Sequence, residues 1–438
     1  MWWWEEHKVE KILEAALSKA EEAEVYRVKK ETTTVKFQAN RLKSISSLFK
    51  EGAGLRVIRG GKIGFSSINN LNDPYTLVNR ALDSAQFGQR AHFHFPPPKR
   101  IPPVQCFDPS LSSLKIEQMI EEGEKAIKLV LEEVPYLECE GEVRKAETEV
   151  RILNTSGLDE SYKKTGYLFF LYAFFAKEGN FLGIEEEEGG GEYKSYSSLL
   201  AQRLIKLANL ARNEVRISPG TYPAIFTSKA MPLLLQSLMK GINGKLVQKK
   251  TSPLMGKMGK PILSPLINIV DDGRFPFGIA TSPLDGEGVV SRRTEIVREG
   301  ILKDFIYDLQ TAGLMRVEST ANAARSYDSL PSPSTTNFIL EPGDTSFEEM
   351  IKDVKEGIIV DQVIGSSQGN DLTGEFSVNL DLGYKVERGK IKGRIKNVMI
   401  SGNAYKLLNK VIAVGREERG IGSIRTPSVY FEKVNVTG

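Results

Sequence analysis

Apolar residues at Val9, Ile12, Leu13, Ala16, Leu17 and Ala20 recur at the spacing of one helix face and predict an amphipathic helix over residues 9–20. Residues 25–37 then favour β-branched side chains. Residues 54–67 place two short strands around Gly60-Gly61, a pair that tolerates positive φ, so a hairpin is expected there. Asp73-Pro74 predicts a helix start running to about Ala85, because aspartate accepts amide protons at the cap and proline is tolerated in the first turn. The proline-rich stretch at residues 95–103 lacks the donors for a strand ladder and reads as an extended connector. Helical spacing returns over residues 116–134 and 199–211. Between them, residues 137–184 read as a strand meander with a turn at Asn154-Thr155-Ser156-Gly157. Its most apolar run, YLFFLYAFFA at residues 167–176, is about half the ~20 residues needed to cross a bilayer as a helix and predicts a buried strand.

A break at Ser218-Pro219-Gly220 precedes apolar segments that are short, β-rich and punctuated by glycine. With 438 residues, more than one hydrophobic core usually organises, two domains are expected. The fold class is α+β: residues 1–217 form an N-terminal α+β domain with helices on an antiparallel sheet, and residues 218–438 a β-rich sheet or barrel-like C-terminal domain. Hairpins are expected at Glu299-Gly300 and Arg388-Gly389, a strand over residues 376–386, and a helix opened by a capping box of Thr345 with Glu348.

Composition narrows the function by exclusion. Lys plus Arg number 59 against 56 Asp plus Glu, a net charge of +3, so no field demands a polyanionic partner, and direct nucleic-acid binding is not expected. Cys106 and Cys139 are the only cysteines, too few for a disulfide scaffold or a multi-cysteine zinc site, and a reducing cytoplasm fits them. The N-terminal MWWWEEHK lacks the apolar stretch of an export signal. Of the three histidines, His7, His92 and His94, the last two form an HxH pair with no acid or cysteine nearby to complete a metal set; exposed loop histidines are the better account. Ser367 lies in a G-x-S-x-G pattern, but strand follows it where an elbow needs helix, and no histidine comes later. Every Gly-Lys pair precedes Ile, Leu, Met or Pro, so the phosphate-cradling loop of an NTPase is absent. Asp271-Asp272-Gly273 and Asp285-Gly286-Glu287 read as capped turns, and Glu185 to Glu188 before three glycines as a solvated loop. Between Lys240 and Lys260 lie six lysines and no acid, a solvated loop that could also act as a lid.

From Ser218 onward the chain resembles the TldD/PmbA family, also called modulators of DNA gyrase. The resemblance rests on Pro219-Gly220-x-Tyr222-Pro223, residues 233–244 (LLLQSLMKGING), Thr251-Ser252, Val270-Asp271-Asp272-Gly273 and Asp285-Gly286-Glu287-Gly288. It continues through Gly300-Ile301-Leu302-Lys303, Asn337, Thr373-Gly374-Glu375-Phe376 and residues 397–402, with a weaker match at Gly54-Leu55-Arg56-Val57. In the TldD branch an H-E-x-x-x-H helix and a C-terminal cysteine hold zinc. The corresponding positions here are Leu235, Gln236 and Lys240, and residues 411–424 contain no cysteine. Leucine has no donor atom, neutral glutamine is a poor base, and an ammonium repels a divalent cation.

The resemblance therefore implies a PmbA/TldE-type subunit with no catalytic residue, metal or cofactor of its own, zinc being expected only in a TldD-type partner. It implies a TldD-type paralogue or a second copy as partner, unfolded peptide as substrate, and no membrane. Asp285, Glu287, Lys249 and Lys250 are candidate edges of a peptide groove, which an extended chain could enter as an added strand. The alternatives are an autonomous peptidase with an unrecognised site and a gyrase- or DNA-associated regulator.

Overall fold

The computed structural model describes residues 2–177, 180–365 and 369–438, except for the side chains of residues 2–7, 177 and 180. Ser367 and the His7 imidazole lie outside the described residues. Six strands, β1 (Glu22–Gln38), β2 (Arg41–Arg59), β3 (Lys62–Ile68), β4 (Glu138–Asn154), β5 (Asp159–Lys177) and β6 (Asn180–Gly190), form one antiparallel sheet in the order β3-β2-β1-β4-β5-β6. Side chains alternate across a strand, so Val25 and Val35 of β1 point to the same face at its two ends. Helices α1 (Trp2–Leu17) and α2 (Pro74–Ala85) cover the first end, packing Val9, Ile12, Leu77 and Ala81 with Val25 and Leu55. After the short α3 (Pro109–Ser112), α4 (Ile116–Glu133) and α5 (Ser197–Leu210) cover the second with Met119, Val130 and Leu200 against Val35 and Phe169. Gly123 lets α4 approach closely, since a Cβ there would lie 2.1 Å from the Phe37 ring.

Local signals held where the backbone alone decides. The Asp73 carboxylate caps α2 by accepting from the Thr76 amide, and Asn154 accepts from Ser156 and Leu158 in the expected turn, with Gly157 at φ +90°. All three expected hairpins turn through positive φ, at Gly60-Gly61, Glu299-Gly300 and Arg388-Gly389.

Tertiary context overrode other expectations. β2 is not a short strand starting at residue 54 but begins at Arg41; its first ten residues are exposed on both faces, so no alternation marks them, and pairing with β1 holds them. The apolar run in β5 is buried on one face only: Tyr167, Phe169, Leu171 and Ala173 enter the core, while Leu168, Phe170 and Tyr172 are half-buried on the other side. Glu185 to Glu188 do not form a solvated loop. They lie in β6, and Glu186 is 2 % exposed because cations from the C-terminal domain neutralise it. The capping box sits one residue later than expected, Ser346 with Glu349, because the Ser346 hydroxyl, not that of Thr345, accepts from the Glu349 amide.

In the C-terminal domain the strands Gly220–Phe226, Glu356–Ile364, Glu375–Glu387, Met399–Asn403 and Ile424–Thr437 close on one another in sequence of pairing to make a barrel-like ring. Helices α6 (Pro232–Gly241) and α7 (Gly244–Gln248) follow the first of these strands, and Leu234, Leu235 and Leu238 of α6 share a core with Phe226, Phe376 and Phe431. Among the described residues no helix is long and apolar enough to cross a membrane.

Lys229 ties the ring to β6: its ammonium lies 2.9 Å from Glu186 and 2.6 Å from Asp361, and Arg419 lies 2.9 Å from the other Glu186 oxygen. Burial opposes each charge, but the partners outweigh it, holding Lys229 above and Glu186 below its ordinary pKa. Lys229→Met leaves Asp361 buried without its cation and should lower the unfolding free energy by about 3–5 kcal/mol in denaturant titration; a loss below about 1 kcal/mol would show that the pair is not fully desolvated.

Candidate functional site

Glu24 of β1 and Arg56 of β2 are register partners, so the sheet places their side chains together on the face opposite α1 and α2. The C-terminal domain answers with Glu287 and Arg325. Arg56 donates from Nη1 to Glu287 Oε1 at 2.5 Å and from Nη2 to Glu24 Oε2 at 3.1 Å, and Arg325 donates from Nη1 to Glu24 Oε1 at 2.5 Å. None of the four side chains is more than 2 % exposed. Phe93 and Phe95 lie over the Arg56 guanidinium at 4.8 and 4.9 Å, and Tyr26 under Arg325 at 4.6 Å, which excludes water while favouring the cations. Burial works against the Arg56 charge, yet Glu24 and Glu287 outweigh it and raise its pKa; burial dominates at Arg325 and lowers its pKa.

Two further buried carboxyls shape the loops around this network. Asp285 Oδ1 accepts from the Glu287 and Val289 amides at 2.9 and 3.0 Å, and Oδ2 from the Ala323 amide at 3.1 Å. Burial and the neighbouring Glu287 push its pKa up to about 8. Asp271 accepts from the Thr336 amide, the Thr336 hydroxyl and the Asn322 side-chain amide at 2.7, 2.8 and 2.6 Å, and burial pushes it up to about 6. Together they pin both ends of the stretch 322–336.

That stretch walls a cleft of about 950 Å³ between the domains, floored by Tyr26, Lys30, Thr148 and Lys164 of the sheet. Ser334 and Thr335 also border a second cavity of about 290 Å³, into which α6 presents Gln236 and Lys240, four residues apart on one face. The two cavities thus adjoin through a common wall.

Of the residues singled out in the sequence, Asp285 lines the cleft, whereas Glu287 is fully buried against Arg56. Leu235 is fully buried in the core, facing away from the cavity that Gln236 and Lys240 line. Lys249 and Lys250 are exposed beyond α7 and line neither cavity. His92 and His94 are exposed, and among the described residues no group of three or more His, Cys, Asp or Glu is placed to hold a metal ion. Sequence reading missed Lys30, Lys164, Arg325 and Asn322. Only the strand register and the long-range packing bring these together.

A helix-covered antiparallel sheet docked on a ring of strands across a cleft is the architecture of the solved gyrase-modulator and TldE structures. The structure of TldE from Thermococcus kodakarensis superimposes with a TM-score of 0.91 at 23 % identity, covering 98 % of this chain and 100 % of that one. A candidate modulator of a DNA gyrase from Thermotoga maritima gives 0.91 at 25 % identity, with 99 % and 100 % covered. Residues 219–438 match the PmbA/TldA metallopeptidase C-terminal domain, residues 109–217 the central domain and residues 23–85 domain 1. The chain belongs to the PmbA/TldD metallopeptidase family. Relatives include an uncharacterised protein of Methanocaldococcus jannaschii, 28 % identical over 97 % of this chain and 98 % of its own length. A metalloprotease TldD homolog of Haemophilus influenzae is 30 % identical over 55 % of this chain and 53 % of its own, and metalloprotease PmbA of Escherichia coli O157:H7 is 26 % identical over 58 % and 56 %.

Two measurements probe the site. Arg56→Met strands Glu287, leaves Glu24 with Arg325 alone, and should cost about 3–5 kcal/mol, while adding Glu287→Gln should cost less than the two single changes summed, since they act on one network; additivity in denaturant titration would refute the coupling. Asp271 has a folded pKa near 6 against an ordinary 3.8, so its contribution to stability is fully present below 3.8 and is lost as pH rises through about 6. Asp271→Asn cannot ionise, so the stability of the wild type relative to this variant should fall by on the order of 3 kcal/mol between pH 3.5 and 7. A gap that stays flat over that range would rule the shift out.

Proposed function

We propose that this chain is a PmbA/TldE-type subunit of a TldD/TldE-like peptidase, shaping the path of an unfolded peptide while a TldD-type partner holds the zinc and cleaves. The observation that carries this reading is α6: where the family's zinc helix has H-E-x-x-x-H, the chain has Leu235, Gln236 and Lys240, with Leu235 in the core and the other two facing a cavity that adjoins the interdomain cleft. Neither side chain suits a divalent cation, because an ammonium repels it and a neutral amide binds it weakly. In such a peptidase zinc polarises the scissile carbonyl and lowers the pKa of bound water to about 7; Gln236 and Lys240 do not replace that chemistry. Supporting features are the buried inter-domain ion network, which holds the cleft open with fixed walls, and the extended floor of the sheet beside it. The reading places the domain boundary at residues 217/218 and the protein in the cytoplasm, with a TldD-type paralogue or a second copy beside it.

The purified chain should retain no stoichiometric zinc by elemental analysis and should hydrolyse unfolded peptides negligibly. Mixing with a TldD-type chain should produce cleavage abolished by chelator. Chelator-resistant cleavage by the isolated chain, removed by one of its own point substitutions, would overturn the reading in favour of an autonomous peptidase.

A further inference from the structure

The strand register brings three lysines onto one row of the sheet. Lys50 of β2 is the partner of Lys30 of β1, Lys30 is also the partner of Thr148 of β4, and Thr148 is the partner of Lys164 of β5. Directly paired residues share a face, so Lys50, Lys30 and Lys164 project together, and all three line the interdomain cleft. Like charges directly opposite one another destabilise a sheet. No carboxylate among the described residues lies within ion-pair distance of any of the three.

The surroundings do not compensate. Lys164 donates to the Ile279 and Thr281 carbonyls at 3.2 and 2.9 Å, which orient its ammonium without neutralising it. Burial lowers its pKa, with Lys30 adding to the effect. Most acids nearby are already committed: Glu51 binds Arg27 at 2.5 Å, Glu24 and Glu287 bind Arg56 and Arg325, and the Asp285 carboxyl is engaged by three amides. Asp328, the other carboxylate on the cleft lining, is exposed and accepts from the Ser326 hydroxyl without pairing with any of the three lysines. Arg325 stands behind the cleft wall with its side chain fully buried, so its charge adds to the positive potential of the cleft without its guanidinium being open to solvent. A cleft with a row of unneutralised ammonium groups suits an anion of modest size.

We infer that the lysine row is a receptor for a peptide carboxylate, so that the cleft selects peptide segments by a C-terminal carboxylate or an acidic side chain. This rests on the peptide-handling reading above and deepens it by naming the substrate chemistry. Carboxylate is favoured over polyanion because the chain as a whole carries only +3, and the row is short, running from the exposed Lys50 and Lys30 to the partly buried Lys164 inside the cleft.

The test uses the full chain and four fluorescent unstructured peptides of one core sequence, followed by anisotropy at low and moderate salt. One has a free C-terminus and no acidic residue, one an amidated C-terminus with a central glutamate, one both, and one neither. Peptides with a carboxylate should bind about tenfold tighter than the neutral twin, the advantage shrinking with salt. In Lys30→Gln/Lys50→Gln it should collapse to within about threefold, with the thermal midpoint unchanged or higher because a like-charge pair has been removed. The better of the first two peptides identifies which carboxylate is read. Equal binding of all four, or a preference that survives the double substitution, overturns the lysine row while leaving the peptide reading intact. Binding of none, with or without a TldD-type partner, overturns both. Tighter binding of a single-stranded oligonucleotide than of any peptide overturns the assignment to carboxylate.

Discussion

Glu24, Arg56, Glu287 and Arg325 set alternating charges along one buried chain of contacts, with one acid and one base from each domain. Each ion has lost its water and can be stable only while the others stay in place, so the two domains cannot shift against each other without exposing an uncompensated charge. Burying such a set is no guarantee of net stability over a hydrophobic contact. What it fixes is geometry: the angle at which the sheet meets the ring, and therefore the width of the cleft. A second set, Glu186, Lys229, Asp361 and Arg419, acts the same way where β6 meets the ring. The six-stranded sheet is thus held at two separate places.

The cleft walls depend on this anchoring. Asp285 follows directly before Gly286 and Glu287, so the turn that aims Glu287 at Arg56 is the same turn whose carboxyl fixes Ala323. Asp271 bonds both Asn322 and Thr336, so the wall shared by the two cavities is positioned by buried acids at its ends as well as by the short antiparallel pairing of residues 323–324 with 332–333. A carboxyl of raised pKa is a suitable tether there, because in its neutral form it adds no net charge beside the network. The cleft lining then sets Lys30, Lys50 and Lys164 against Glu51, which Arg27 holds, and the exposed Asp328.

Helix α6 is seated by packing: Leu235 contributes to the same core as Leu234 and Leu238, so the helix holds its place without any metal. Gln236 and Lys240 face a cavity whose lining also includes Asn243 and Asp371, so amide, ammonium and carboxylate groups meet there.

The sequence by itself determined the fold class, the helices with strong 3.6-residue spacing, and the turns at Asn154, Glu299-Gly300 and Arg388-Gly389, because these depend on neighbours a few residues away and on glycine's access to positive φ. It did not disclose the length of β2, whose exposed first half carries no alternation, or the burial of Glu186, whose acidic run reads locally as a solvated loop. Both are set by partners distant in sequence. The candidate site was legible only in fragments: Arg56 and Glu287 stood in two stretches of family resemblance 231 residues apart, and nothing local shows that they touch. Lys30, Lys50 and Lys164 carry no signal at all along the chain, since a lysine on an exposed strand is ordinary. Only the register of four strands puts them in one row, and only the docking of the ring sets a cleft wall beside them, so tertiary structure decided the site by collecting charges that the sequence had kept apart.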